Sequence, residues 1–189
     1  MDNEVFVMEN VQEFIDRIKA DSHIAHYLSA ECDFDLEDDK QLEDDLYYLL
    51  EGGKCQFKLT PFGCDGCGGV YVLAEDGRVG YIDSEGSAGF AAQNIRDFFS
   101  ILLCCRYLSD WSDVDFDSVE DFMECVEDKS SPSKNYKERI AAFIADCGLE
   151  SEPEKVYEMF RNGVNSQPPL EIKATDDDYE DYEPLFQIG

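Results

Sequence analysis

Two stripes of apolar residues predict helices in the first fifty positions of the chain. The first stripe repeats at intervals of three and four residues and predicts an amphipathic helix over residues 10–28. It comprises Val11, Phe14, Ile15 and Ile18. The second stripe predicts a helix that ends at Gly52-Gly53, because glycine commonly terminates helices. It comprises Leu42, Leu46, Leu49 and Leu50.

The spacing of apolar residues then changes to every second position. Apolar and polar residues alternate from Cys55 to Thr60, which is typical of a half-buried strand. Residues 68–83, GGVYVLAEDGRVGYID, contain two apolar runs separated by Asp76-Gly77, and this pattern predicts a β-hairpin. The following SEGSAG sequence at 84–89 predicts a further turn or loop.

The second half of the chain returns to helical spacing. The stripes predict four helices, at residues 91–107, 118–129, 136–149 and 152–162. The first of these is apolar enough to be the central buried helix. Gly148 is expected to cap the third helix, Pro153 to lie in the first turn of the fourth, and Gly163 to follow it.

The order of helices, then strands, then helices predicts an α+β fold rather than a doubly wound parallel sheet. We expect one domain over residues 1–168. Pro168-Pro169 begin an acidic tail, residues 169–189, that is either disordered or able to add a strand when it binds a partner.

Composition and cysteine usage indicate a folded cytoplasmic protein. The chain has 189 residues, of which 43% are hydrophobic, and this is enough to bury a core. The first ten residues contain three acids, no base and no long apolar run, so they do not resemble a signal peptide. We therefore expect a cytoplasmic location, no membrane span, and eight reduced cysteines.

Cys64 and Cys67 have the spacing of a zinc knuckle or a thiol redox centre. A structural zinc site needs two more ligands, and a redox pair should open a helix, whereas this pair lies between two predicted strands. Cys104-Cys105 lie inside a predicted helix, and His23 and His26 belong to the N-terminal helix. Free cysteines are the favoured interpretation, and we expect no metal and no cofactor.

Residues 63–90 also raise two other possibilities. GCDGCGG is rich in glycine but lacks the following lysine and helix of a phosphate-binding loop. Asp83, Ser84 and Glu85 could place a hydroxyl beside carboxylates, but a nucleophilic serine needs a positioned general base. A metal- or thiol-dependent enzyme using this loop remains the less favoured alternative, and we expect no enzymatic activity.

The charge of the chain is unevenly distributed. The net charge is −29, and three segments, residues 31–51, 110–128 and 171–183, hold 26 of the 44 acids and 2 of the 15 bases. The rest of the chain is therefore close to neutral. Nucleic acids and anionic membranes should repel such a surface, whereas a basic protein should be attracted to it.

The individual acids expected to bind a partner lie in the first two of these runs. Glu120 and Glu124 fall opposite the stripe formed by Val119, Phe122 and Met123, so they should be exposed. Trp111 is a candidate hot-spot residue, although a core position is the somewhat favoured alternative. The full candidate set is Asp38, Asp39, Asp44, Asp45, Trp111, Asp113, Asp115, Asp117, Glu120 and Glu124. The third run, DDDYEDYE, interleaves tyrosines with acids.

Residues 61–103 resemble the core signature of the SUKH superfamily. The similar features are the glycine-rich lead into a strand, the RVGYI strand, the SEGSAG turn and the Phe/Leu-rich helix that follows. Cys64 and Cys67 stand where the superfamily usually has small residues. The superfamily includes bacterial toxin-immunity proteins and yeast regulators of cell-wall synthesis.

The resemblance implies a central, mostly antiparallel or mixed sheet flanked by N-terminal and C-terminal helices. It also implies an immunity-type protein that binds and neutralises a cognate toxin, without shared catalytic residues. Toxins of this kind that attack nucleic acid, such as nucleases and deaminases, need basic grooves, which fits an acidic inhibitor. The alternative within the same superfamily is an interaction scaffold or regulator that has no toxin partner.

Overall fold

The computed structural model describes residues 3–111, 115–116, 118–128 and 134–188. Within these ranges there are seven α-helices: α1 (Asn3–Ala20), α2 (Ser22–Cys32), α3 (Asp39–Leu49), α4 (Ile95–Cys105), α5 (Val119–Asp128), α6 (Lys134–Cys147) and α7 (Pro153–Val164). The strands are β1 (Gly53–Cys55), β2 (Leu59–Cys64), β3 (Val70–Ala74), β4 (Val79–Ile82), β5 (Ser87–Ala92), β6 (Asp115–Phe116), β7 (Ile172–Ala174), β8 (Glu183–Pro184) and β9 (Gln187–Ile188). The predicted α+β, single-domain fold is confirmed.

The central sheet has the strand order β2-β3-β4-β5-β8. The first four strands are antiparallel neighbours, and β8 joins β5 in parallel. The turn at Asp76-Gly77 connects β3 to β4, and Gly77 has a positive φ of 97°, as the predicted hairpin requires. Two smaller ladders complete the sheets: β1 pairs with β7 antiparallel, and β6 pairs with β9 parallel.

Hydrophobic residues cover both faces of this sheet. Tyr71 and Leu73 of β3 face a large core that includes residues of α1, α2 and α4 to α7. Val70 and Val72 face a smaller core on the opposite side, which contains Leu46 of α3. Successive side chains on a strand point to opposite faces, so β3 is buried along its whole length.

The predicted helix over residues 10–28 is wrong in its extent, because the chain breaks at Asp21. The Asp21 carboxylate accepts a hydrogen bond from the backbone N–H of His23 at 2.9 Å, which caps the start of α2. The apolar stripe itself is confirmed, since Val11, Phe14 and Ile18 are buried.

The predicted helix over residues 91–107 also begins too early. Asn94 caps α4 by accepting hydrogen bonds from the backbone N–H groups of Arg96 and Asp97, each at 3.0 Å. The residues before this cap form β5 instead of helix. Gly163 lies inside α7 rather than after it, because α7 crosses β5 there and a Cβ would collide with the backbone of Ala91.

The segment expected as a tail, residues 169–189, is built into the fold over its described part. It supplies β7, β8 and β9 and thereby joins three ladders. Its buried side chains are Leu170, Ile172, Leu185, Phe186 and Ile188. The predicted boundary at residue 168 therefore does not separate a core from a tail in the structure.

Candidate protein-binding surface

Helix α3 presents the first acidic run, but two of its candidate carboxylates have local roles. Asp38 caps the helix by accepting a hydrogen bond from the backbone N–H of Gln41 at 3.0 Å. Asp45 accepts one from the side-chain amide of Gln41 at 2.8 Å. Asp39 and Asp44 are exposed. Asp39, Asp44 and Asp45 lie on α3, and Asp38 caps it.

The third acidic run lies beside the C-terminal end of α3. The pairing of β1 with β7 sets Gly53 opposite Ala174. The backbone N–H and the hydroxyl of Thr175 both donate to the carbonyl of Gly52, each at 2.9 Å, and the hydroxyl of Tyr182 donates to the carbonyl of Leu49. These bonds hold residues 175–182 against the end of the helix.

Three tyrosines are exposed at this junction. Tyr47 and Tyr48 are 70% and 69% exposed, and Tyr179 is 45% exposed, the highest values among large hydrophobic residues in the described ranges. The rings of Tyr47 and Tyr48 meet edge to face, with centroids 5.8 Å apart. The ring of Tyr179 lies against Gly52, where a Cβ would collide with it.

We call this area the tyrosine–acid surface. Its carboxylates come from the first and third acidic runs, and the C-terminal end of α3 adds a partial negative charge. Residues 43–51 and 175–180 together contain eight acids and no base. The surface is defined by Tyr47, Tyr48 and Tyr179, and by the exposed acids Asp44, Glu51, Asp176, Asp177, Asp178 and Glu180.

Lys173 lies at the border of this surface and neutralises part of the charge there. Lys173 lies 3.3 Å from Asp181 and 3.8 Å from Glu171. The backbone N–H of Ala174 and then the ammonium of Lys173 lower the pKa of Asp181. Asp181 therefore supports the local turn, and we do not count it among the acids open to a partner.

The second acidic run lies apart from this surface. Glu120 and Glu124 are exposed on α5, as predicted, while Phe122 between them is buried in the large core. That core lies on the opposite face of the sheet from the one that α3 covers. For Asp115 the structure describes the backbone, which belongs to β6, and the predictions for Asp113 and Asp117 fall outside the described residues.

Trp111 is a core residue, so the prediction that it anchors a partner is wrong. It is 2% exposed. Its ring centroid lies 5.0 Å from that of Phe116 and 5.2 Å from that of Phe122. A side chain this deeply packed cannot reach another protein without unfolding its surroundings.

The glycine-rich segment at residues 63–69 forms a closed loop around Asp65. The buried Asp65 carboxylate accepts hydrogen bonds from the backbone N–H groups of Cys67 and Gly69, each at 2.8 Å, and from the hydroxyl of Tyr81. Burial raises the pKa of Cys64 to about 11, which disfavours a thiolate at neutral pH. In the described part of the chain, no group of three or more His, Cys, Asp or Glu residues could hold a metal ion.

The residues considered for catalysis form the next turn. Asp83 accepts hydrogen bonds from the backbone N–H groups of Glu85 at 2.9 Å and Ser87 at 2.7 Å. Gly86 has a positive φ of 96°, which suits a tight turn. These bonds connect β4 to β5 and give Asp83 a structural role, while Ser84 and Glu85 are exposed.

The sequence prediction missed the tyrosines. Tyr47 and Tyr48 carried a usable signal, because they lie off the leucine stripe of α3 and had to point away from the core. For Tyr179, the sequence shows the alternation of tyrosine and acid. It does not show that Tyr179 lies against Gly52, because that contact depends on the pairing of β1 with β7, which no local sequence pattern indicates.

Comparison of the chain with protein-family models, curated proteins and solved structures finds no match. The SUKH resemblance therefore stays a prediction. Across the described residues, the helices are all too short or too polar to cross a membrane.

Proposed function

We propose that this protein is a non-enzymatic binding protein of the immunity type, and that it neutralises a basic toxin domain. The docking face in this proposal is the tyrosine–acid surface. The observation that carries it is that two acidic runs, far apart in sequence, meet around three exposed tyrosines. Aromatic residues of this kind are enriched at protein interfaces, where they supply most of the contact energy.

Electrostatics support a basic protein as the partner. Carboxylates concentrated on one face create a local negative potential that accelerates association with a cation and orients it. The same potential repels nucleic acids and anionic membranes, so a nuclease or deaminase domain with a basic groove fits better than the nucleic acid itself. We place the protein in the cytoplasm, where such a toxin would act on nucleic acid.

The SUKH resemblance supports the immunity role over other binding functions. The proposal assigns no catalytic residue, cofactor or metal. A regulator without a toxin is the alternative within the superfamily, and it would use the same surface for a different basic protein. The neighbouring gene distinguishes the two, because an immunity gene is expected directly beside its toxin gene.

The proposal is tested by binding to the product of the neighbouring gene. We expect a complex in a pull-down whose affinity falls as salt is raised, since salt screens exposed charges. The variant Glu51→Gln/Asp176→Asn/Asp177→Asn/Asp178→Asn should weaken binding about tenfold, mainly through slower association. Glu120→Gln/Glu124→Gln on α5, which removes two charges from the other acidic helix, is the control and should change affinity less than about twofold.

Two results would contradict the proposal. Binding that is indifferent to salt would remove the electrostatic mechanism. Loss of binding in the α5 variant, with normal binding in the four-residue variant, would place the interface on the other side of the sheet.

A further inference from the structure

The three tyrosines define the chemistry of a partner more sharply than the acids do. A lysine and an arginine are equivalent as point charges, so carboxylates alone attract both. The rings of Tyr47 and Tyr48 are exposed over most of their surface, and their edge-to-face contact orients them differently, at 73°. Flat cations could therefore stack on more than one ring at once.

Arginine fits this surface better than lysine. The guanidinium group is planar and weakly hydrated, so it can stack on an aromatic ring and still bond a carboxylate through two N–H groups. An ammonium is a compact, strongly hydrated charge that gains less from an exposed ring. Glu51 lies three positions after Tyr48, and Asp178 and Glu180 flank Tyr179 in the sequence, so these rings have exposed carboxylates among their near neighbours along the chain.

A second copy of the chain is disfavoured as the occupant. Contact between two tyrosine–acid surfaces would bring together two sets of six exposed acids on chains that each carry a net charge of −29. An anionic lipid or nucleic acid meets the same repulsion. Charge complementarity therefore favours a cationic protein segment.

We infer that the tyrosine–acid surface selects arginine, and that it binds an arginine-bearing segment of the basic partner by stacking guanidinium groups on Tyr47, Tyr48 and Tyr179 between carboxylates. This inference rests on the proposed function and specifies the partner chemistry at the same surface. It assigns selectivity to the rings and attraction to the acids.

The experiment uses two labelled homopeptides of equal length, one of arginine and one of lysine, and measures their affinity for the full chain by fluorescence anisotropy. We expect the arginine peptide to bind about tenfold more tightly, the sum of two or three ring contacts. In Tyr47→Leu/Tyr48→Leu/Tyr179→Leu, the ratio of the two affinities should fall severalfold, because the stacking of guanidinium groups on the rings is lost. The lysine peptide should lose less affinity in this variant than the arginine peptide does, because an ammonium gains less from a ring.

The four-residue acid variant described above is the matched control, and it should weaken both peptides while keeping the preference for arginine. Circular dichroism and thermal unfolding establish that each variant is folded. Equal binding of both peptides by the wild type, or a preference for arginine that is as strong in the leucine variant as in the wild type, overturns the inference but leaves the proposed function standing. If neither peptide binds and the acid variant still binds the toxin normally, both fail.

Sedimentation velocity of the free chain tests self-association. A monomer that the leucine substitutions leave unchanged supports the inference. A dimer that these substitutions abolish assigns the surface to a second copy and overturns it.

Discussion

The ring of Tyr71 packs against that of Tyr81 in the core, with centroids 4.8 Å apart and an angle of 34° between the planes, yet the two hydroxyl groups differ in their hydrogen bonds. The hydroxyl of Tyr81 donates to the buried carboxylate of Asp65. The hydroxyl of Tyr71 is buried without a hydrogen-bond partner among the described residues. Burial of an unpaired polar group costs free energy, whereas the bond of Tyr81 fastens the glycine-rich loop to the sheet.

Phenylalanine at these two positions should have opposite effects on stability. Tyr71→Phe removes an unpaired hydroxyl and should raise the free energy of unfolding by up to about 1 kcal/mol. Tyr81→Phe removes a donor to a buried carboxylate and should lower it by about 2 kcal/mol. Urea denaturation followed by circular dichroism measures both. A larger loss in Tyr71→Phe than in Tyr81→Phe would contradict the bonding described.

Alkaline pH should destabilise the protein through the same two residues. Burial, then the Asp65 carboxylate, raises the pKa of Tyr71 well above its usual value. Burial, then the hydrogen bond to Asp65, raises the pKa of Tyr81. Because the unfolded side chains ionise near pH 10 and the folded ones do not, their contribution is complete below pH 10 and lost above it.

The expected slope is about 1.4 kcal/mol per pH unit for each buried tyrosine above pH 10. This slope is measured by urea denaturation at a series of pH values between about 9 and about 12, a range that includes the pKa of free tyrosine. Tyr71→Phe should reduce the slope of the free energy of unfolding against pH by the contribution of one tyrosine, about 1.4 kcal/mol per pH unit. An unchanged slope in that variant would mean that Tyr71 ionises in the folded protein.

Arg78 should be intolerant of lysine. Its guanidinium lies 4.0 Å from the ring centroid of Phe90 and donates to Asp76 at 2.7 Å, and it reaches the carbonyl of Pro168 at 2.8 Å. An ammonium cannot stack and make these bonds together, so Arg78→Lys should lower the free energy of unfolding by about 3 kcal/mol. Thermal and urea unfolding measure the loss.

The control for this substitution is Arg139→Lys. The ion pair of Arg139 with Asp21 is exposed, with atoms 3.4 Å apart, and the change should cost less than about 0.5 kcal/mol. Similar losses in the two variants would show that the packing around Arg78 contributes little.

The C-terminal segment should be required for stability. Phe186 is buried, and its ring centroid lies 5.1 Å from that of Phe160 on α7. Phe186→Ala should therefore lower the free energy of unfolding by about 3–4 kcal/mol. Gln187→Ala, at the exposed neighbouring position, is the control and should be nearly neutral. If both variants are neutral, the segment does not pack on the domain in solution.

Substitution of Trp111 should affect folding and leave partner binding unchanged. Trp111→Phe keeps an aromatic ring against Phe116 and Phe122 but leaves a void, and should cost about 1–3 kcal/mol of stability. At a temperature where the variant is folded, its affinity for the basic partner should equal that of the wild type. A tenfold loss of affinity in the folded variant would restore Trp111 as an interface residue.

Local sequence patterns predicted the helices and turns that are determined by residues within the same short segment. The leucine stripe of α3, the hairpin at Asp76-Gly77 and the cap at Gly148 were all visible in the sequence and are present. The break at Asp21 was missed because apolar spacing continues across it, and the cap depends on one side-chain bond to His23. Strand β5 was missed because its small residues, SAGFAA, give no alternating pattern.

The candidate surface was only partly predictable, for the same reason. The acidic runs were visible as composition, but nothing local indicated that two of them meet. Their contact depends on the hydrogen bonds from Thr175 to the carbonyl of Gly52, two residues that are 123 positions apart in the sequence. The strands that continue the C-terminal segment have two residues each, too short for any periodic signal.

The distance in sequence between the two halves of the tyrosine–acid surface also has a consequence for biosynthesis. Domains synthesised on the ribosome tend to fold from their N-terminal part onwards. Helix α3 emerges early, whereas β7 and the turn that carries Tyr179 emerge more than a hundred residues later. The residues that form one half of the tyrosine–acid surface are therefore synthesised well before the other half, and a prematurely terminated product lacks the second half.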